Sequence, residues 1–397
     1  MKNLLINFLR VFQAIRRWWL SLRGISENDI HDKRIVNGTA WSEFCDNLKV
    51  AGAALVYPGA PTDPMQQAEG VRYLSRLTRA ALEAFVEYSD PQHPVFRRMV
   101  HETIKMGADN PDNHYLNAQI SGDYDYIISG KRNTIHYFGL FTQNGNYGTT
   151  GGLSPCGKLE DGELIVNADG SFEVTLSKER RGANWLKIEK ETTLLMVRQT
   201  YLDRENEVPV EMTIKAIGAT GIPGSITTAR LDEGLNIASL FVAGAPMLFS
   251  KWARDFQKHT NRLPMFDPAI SNAAGGDARI IYYHSHWKLD KSQALVITAI
   301  PPVCDTWNFQ LNNYWMESLD YRYHRICINS HSAIKNTDGT ITVIVAHDDP
   351  GHANWIQTAG HVEGTMCWRW YRPETTPPQE IETVVMDFEQ LKHTFYA

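Results

Sequence analysis

The chain has 397 residues, 43% hydrophobic and 21% charged, with a net charge of −6. That length fits two or three domains, or one large β domain with helical additions, and the composition is that of an ordinary soluble globular protein. The acidic balance, without a zinc-finger or basic-helix pattern, excludes nucleic acid as an expected partner. Five widely spaced cysteines with no CxxC exclude a disulfide framework or structural zinc site and fit reduced thiols in the cytoplasm.

Residues 1–24 form the first predicted element. At about 100° per residue, Leu4, Phe8, Val11, Phe12, Ile15, Trp18, Trp19 and Leu22 share one helical face, with Lys2, Arg10, Arg16, Arg17 and Arg23 around it. The arginines interrupt the apolar run a signal peptide needs, and the stretch is too short and charged to span a bilayer. An amphipathic helix of this kind lies on a membrane surface, placing the protein peripherally on the inner membrane, or it packs on its own domain or a partner subunit. A homo-oligomer is left open by the same stretch.

Residues 25–115 read as a helical cap. Trp41, Phe44, Leu48, Ala51 and Leu55 recur at helical spacing, as do Ala68, Val71, Leu74, Leu77, Ala81 and Phe85. A third helix is expected from Pro94, carrying Val95, Met99 and Ile104. The turn-rich run Asp109 to Tyr115 ends the cap.

From residue 116 to 397 the periodicity is two. Strands are expected around Tyr124–Ile128, Ile135–Gly139, Glu163–Asn167, Phe172–Ser177 and Thr193–Leu202. The glycine-rich piece Asn144–Gly152 lacks the lysine of a phosphate-binding loop and precedes no helical pattern, so no nucleotide cofactor is expected. Arg180, Arg181, Arg198 and Arg204 each pair with a carboxylate or face a ligand, because a lone buried charge is too costly. A helical insertion near 228–258 should break in two at Gly244 and Pro246. Strands resume at Ile280–Tyr283, Ala294–Ile300, Asn308–Trp315, Ile326–Asn329, Thr340–Val345 and Thr365–Tyr371, and Pro373–Pro378 reads as an edge or linker. No internal repeat is visible. The fold class is α+β, mainly β: an antiparallel jelly-roll-type β-sandwich with an N-terminal helical region and a helical insertion.

The chemistry-bearing side chains concentrate between Trp307 and Trp370. Strand alternation sends Trp307, Phe309, Leu311 and Trp315 one way, and Asn308, Gln310, Asn312 and Tyr314 the other. The second row orients a polar ligand or is simply the outer face of the sheet. After the next strand, His347, Asp349 and His352 surround a Pro350-Gly351 turn, where Asp348 or Asp349 could fix an imidazole tautomer. Three readings compete: general acid–base catalysis, a metal site that includes His361, and a structural turn. No nucleophile elbow frames Ser330 or Ser332.

Trp307 to Trp315, Asn329-x-His331, Asp338-Gly339-Thr340, His347-x-Asp349-Pro350-Gly351-x-x-Asn354-Trp355 and Thr358-Ala359-Gly360-His361 resemble the bacterial family called domain of unknown function 1214. The resemblance covers about 280–385, with Ala68 to Leu74 and Asp109 to Asn113 similar to the longer proteins carrying it. It implies a jelly-roll β-sandwich with helical additions and brings no established catalytic residues. A companion domain (domain of unknown function 1254) often precedes it in such proteins.

The expectation is a pocket-forming β-sandwich that acts on a small or amphipathic organic ligand, a lipid or isoprenoid among the candidates. As an enzyme it would run cofactor-independent acid–base chemistry, a hydrolase, lyase or hydratase, with His347, Asp349, His352 and His361. Asn308, Asn312, Arg322 and Asn354 would orient the ligand between Trp315 and Trp355; no metal or cofactor is assigned. The alternative is a non-catalytic ligand-binding or membrane-peripheral envelope protein.

Overall fold

The computed structural model describes residues 24–145, 153–219, 221–273 and 276–396. The helix expected over 1–24 lies, Gly24 apart, outside them, as does most of the glycine-rich piece 144–152.

Three helices open the described chain. Helix α1 (Glu27–Val36) starts with a capping box, Ser26 accepting from the Asp29 amide while the Asp29 carboxylate accepts from the Ser26 amide. Helix α2 (Thr39–Ala51) buries Ala40, Phe44 and Ala51. Helix α3 (Pro64–Leu82) has Asp63 as its cap, Pro64 in its first turn and Tyr73, Leu77, Ala80 and Ala81 on its buried side. The expected third helix of the cap is absent. Residues 94–106 instead run as irregular chain with isolated bridges Arg97↔Asn117 and His101↔Ile104. The Arg97 amide and carbonyl pair with those of Asn117 at 2.9 and 2.8 Å, so a strand edge takes the bonds that a helix would have used.

The region expected as one sandwich is two units of the same topology. In the first, β1 (Asn113–Gln119), β2 (Tyr126–Lys131), β3 (Tyr137–Asn144), β4 (Ser154–Glu160), β5 (Ser171–Ser177), β6 (Trp185–Lys187), β7 (Thr192–Thr200) and β8 (Glu211–Ala216) form sheets ordered β1-β7-β3-β4 and β6-β5-β2-β8. Helix α4 (Thr228–Phe256) crosses to the second unit, where β9 (Leu263–Pro264) and helix α5 (Pro268–Ala273) precede the main strands. These are β10 (Ile280–Lys288), β11 (Gln293–Ala299), β12 (Thr306–Asn312), β13 (Cys327–Asn329), β14 (Ile341–Ala346), β15 (Trp355–Gln357), β16 (Glu363–Tyr371) and β17 (Glu380–Asp387), closed by helix α6 (Phe388–Tyr396).

The second unit's sheets run β10-β16-β12-β13 and β15-β14-β11-β17, with β9 added at the edge. Adding nine to each strand number of the first unit reproduces this order. Pairing directions agree as well: every pair is antiparallel except β5 with β6 and β14 with β15, which are parallel. The architecture is thus α+β and mainly β, with an internal repeat that the sequence does not display. Glu163–Asn167 is not a strand, because the amides of Glu163 and Leu164 turn back to the Glu160 carbonyl.

Each unit has its own core between its two sheets. The first holds Phe138, Leu140, Val174, Leu176, Leu195 and Val197. The second is heavier, with Trp287, Trp307, Phe309, Trp368 and Trp370. A third core joins α2, α3 and α4 to Tyr314, Trp315 and Met316 after β12. Helix α4 runs unbroken through Pro246. Proline removes one backbone hydrogen bond, but burial of Val242, Ala245, Ala253 and Phe256 on both sides of it holds the helix together. Gly234 lets α4 approach closely: a Cβ there would stand 2.2 Å from the Phe85 carbonyl oxygen.

Candidate functional site

The inner faces of β1-β7-β3 and β10-β16-β12 fill the two cores, and strand alternation turns the next residues outward. Leu116 and Val197 point into the first core, so Tyr115 and Arg198 lie on the outer face. Tyr283 and Trp368 fill the second core, so Tyr282 and Arg369 lie outside it. Helix α4 roofs both outer faces, and between them is a cavity of about 630 Å³. That is within the usual size of a small-molecule site.

The roof is a helical stripe of Ile237, Phe241, Ala245, Leu248 and Trp252, extended by Met99 and Met106 from the irregular segment after α3. The floor is polar: Tyr115, Arg198, Tyr282, Arg369 and Tyr371, with Asn110 and Asn113. Burial pushes the Tyr282 phenol up to about 12 and raises Tyr371 well above the ordinary phenol value, so both stay protonated near neutrality. Burial, then the charge of Arg369, holds His284 down at about 3, so it is a neutral imidazole in this wall.

Arg369 is 4% exposed. Its guanidinium donates to Gln310 Oε1 at 2.6 Å, to Asn308 Oδ1 at 3.3 Å and to the Ala108 carbonyl. Arg198 stands 3.7 Å from Asp277, which also binds Arg279 at 2.9 Å. Arg279 in turn pairs with Glu160.

None of the ten sequence-predicted residues lines this cavity. Asn308 is buried and donates to Asn110 Oδ1 at 2.6 Å, so it supports the floor from behind. Asn312 accepts from Gln310 at 2.5 Å and is equally buried. The polar row on β12 is therefore neither an open face nor a pocket wall; the Asp109–Asp112 loop covers it. Trp315 donates to the Gln66 carbonyl at 2.7 Å within the helical core. Arg322 is an exposed partner of Asp320 at 2.7 Å. Asn354 donates to the Ile334 and Thr342 carbonyls at 2.7 and 2.9 Å, and Trp355 to the Ala346 carbonyl at 3.1 Å.

His347 contacts Thr358 Oγ1 at 3.0 Å and the Leu289 carbonyl at 3.1 Å. Asp349 accepts from the Gly351 amide at 2.7 Å, and His352 Nδ1 from the Asn354 amide at 3.1 Å. The Asp349 and His352 contacts are those of a structural turn, and His347 ties that turn to the ends of neighbouring segments. Among the described residues no group of three or more His, Cys, Asp or Glu side chains is placed to hold a metal ion.

His361 has a different setting. With Glu69, Arg72, Arg76, Lys105 and Asn313 it lines a second, polar cavity of about 130 Å³ between α3 and the second unit. Its Nε2 lies 3.0 Å from Glu69 Oε2. Burial alone would lower the imidazole, but the bond to Glu69 and the Thr358 and Ala359 carbonyls raise it above 6.5. A histidine raised in the fold stabilises fully below its unfolded value and loses that contribution as pH rises through the folded one. His361→Gln should therefore cost about 1–3 kcal/mol in mildly acidic solution and progressively less toward alkaline pH. Melting curves of both proteins across that range check this; a pH-independent difference would refute it.

The sequence leaves Arg198 to pair with a carboxylate or to face a ligand, and in the fold it lies near Asp277 and lines the cavity; the rest of the floor is not legible from the sequence. The available signal was an Arg alternating with apolar residues on a strand, which occurs in both Met196-Val197-Arg198 and Cys367-Trp368-Arg369.

No curated protein matches the chain. A family model described as "Protein of unknown function (DUF1214)" matches residues 141–203 and 286–375, one stretch in each unit. A solved structure of an uncharacterized protein from Burkholderia cenocepacia is 45% identical, covers 90% of this chain and 99% of its own, and superposes with a TM-score of 0.87. A protein from Vibrio parahaemolyticus is 12% identical over 86% of this chain and 100% of its own, with a TM-score of 0.49. The extent of the first likeness, with the family match in both units, makes this chain a member of the DUF1214 family.

Proposed function

We propose that the protein is a pocket-forming binder of a small amphipathic organic ligand, built from two β-sandwich units of jelly-roll type. The observation that carries this is the 630 Å³ cavity with an apolar helical roof over a floor of arginines, phenols and amides. A space of that size lined by flexible polar ends alone would collapse or hold water; here Ile237, Leu248 and Trp252 of α4 favour an apolar body. The jelly-roll reading is supported by the exchange of sheets along the chain: β1 and β2 lie in opposite sheets, as do β7 and β8, and the second unit repeats this. Binding is favoured over acid–base turnover because Asp349 and His352 make local turn contacts and His347 bonds to the Leu289 carbonyl and Thr358, all outside the cavity.

Nile red, an uncharged apolar dye, tests the reading. Saturable binding with blue-shifted emission is expected. Leu248→Trp, which thrusts an indole into the space from α4, should weaken it about tenfold or more while costing less than about 3 kcal/mol in stability. Dye binding that never saturates, or that ignores the substitution, would remove the proposal.

A further inference from the structure

The two walls of the cavity carry the same pair at the same register. On the first, Arg198 of β7 stands opposite Tyr115 of β1 and Gly139 of β3. On the second, Arg369 of β16 stands opposite Tyr282 of β10 and Asn308 of β12. Since β7 and β16, and β1 and β10, are equivalent strands, the Arg–Tyr pair occurs once per unit, and both pairs face the one space. Tyr115 and Tyr282 each lie within electrostatic reach of both guanidinia.

The floor also has more donors than acceptors. Tyr371 Oη accepts from Asn110 Nδ2 at 2.7 Å, and Tyr115 Oη accepts from Asn113 Nδ2 at 2.9 Å. Each phenol oxygen is thereby turned so that its own proton is left over, and among the described residues no acceptor takes it. Arg369 is bonded only to neutral oxygens, and the buried Asp109 and Asp112 act on it through charge alone, from beyond 4 Å. His284, 6% exposed and in the same wall, has a buried Nδ1 without a partner. A buried cation beside O–H groups that lack acceptors is a site waiting for an anion, and a planar guanidinium matches a carboxylate.

We infer that the ligand is an amphipathic organic acid whose carboxylate is held by Arg369 and the hydroxyls of Tyr115 and Tyr371, with its apolar chain under α4. This rests on the cavity being the ligand site, and it names the ligand's class.

Decanoate and decanol, which differ in the head alone, are competed against Nile red at neutral pH on the full-length protein. Decanoate is expected to displace the dye at a concentration about tenfold or more below that of decanol. Arg369→Gln should abolish that preference. Tyr371→Phe removes one hydroxyl and keeps the ring, so it folds even if the arginine variant does not, and it should reduce the preference about threefold to tenfold. Equal displacement by acid and alcohol, or displacement by neither while the dye still binds, overturns the organic-acid inference and leaves the cavity reading standing. Failure of the dye itself to bind removes both.

Discussion

Replacing Arg76 by Met is expected to cost the fold about 3–5 kcal/mol, the penalty for stranding a buried carboxylate. Arg76 Nη1 lies 2.6 Å from Glu317 Oε1, and the Glu317 side chain is only 1% exposed. Asn313 donates to the second carboxylate oxygen at 3.0 Å, but it brings no charge. Even with Arg76 present, burial pushes Glu317 up from the ordinary carboxylate value. Without Arg76, the carboxyl must take a proton or remain charged and buried, with only Arg72 and Lys105 acting on it from beyond 4 Å. Stability of the variant should therefore be lowest at alkaline pH and recover on acidification, because a raised acid stabilises below its unfolded value and loses that as pH rises. Urea unfolding across pH measures both statements. The double variant Arg76→Met/Glu317→Leu should regain most of the loss. A cost of under about 1 kcal/mol for Arg76→Met would mean that the pair behaves as an exposed one.

The second large effect concerns the tryptophan stack. Trp368 is fully buried, stacks on Trp307 at 4.8 Å and 11°, and meets Trp370 at 5.2 Å and Phe309 at 5.7 Å. Trp368→Ala should cost about 3–5 kcal/mol. Its equivalent in the first unit is Val197, the residue before the repeated arginine, and Val197→Ala should cost about 2 kcal/mol. Denaturant curves of both variants test whether one topology is filled in two ways. Equal losses would contradict a second core built around the indoles.

That difference in filling also explains why the repeat is not legible in the sequence. A sheet order depends on which positions face inward, and Phe138, Leu140 and Val197 satisfy it as well as Trp307, Phe309 and Trp368 do. Most strands were legible by alternation, as Phe172 to Ser177 shows. Pro94 misled because a proline that suits a first helical turn suits an extended segment equally, and only the edge of β1 decided between them. Pro246 misled the other way, since its cost is local and the burial around it is not.

Aromatic and titratable side chains are dense along the chain between Trp307 and Trp370. In the fold that density serves a core and a covered polar layer, with Trp307, Trp368 and Trp370 in the one and Asn308 and Asn312 in the other. The cavity draws its lining from Phe85 to Arg372. No local motif marks such a site, because it is assembled by two sheets and a helix that meet only after folding.

The pairing of β1 with β7 sets the tempo at which this chain can be made. Asn113 and Thr200, bonded neighbours across that pair, are 87 residues apart. On a ribosome, the edge of β1 that faces β7 emerges bare and stays so until almost the whole first unit has been translated. At about 5–20 residues per second this is a wait of about 4–17 seconds. The same delay recurs for β10 and β16. A strand edge exposed that long invites pairing with a neighbouring nascent chain. Slower elongation or crowded polysomes should therefore lower the yield of folded protein through aggregation, even where the finished molecule is stable.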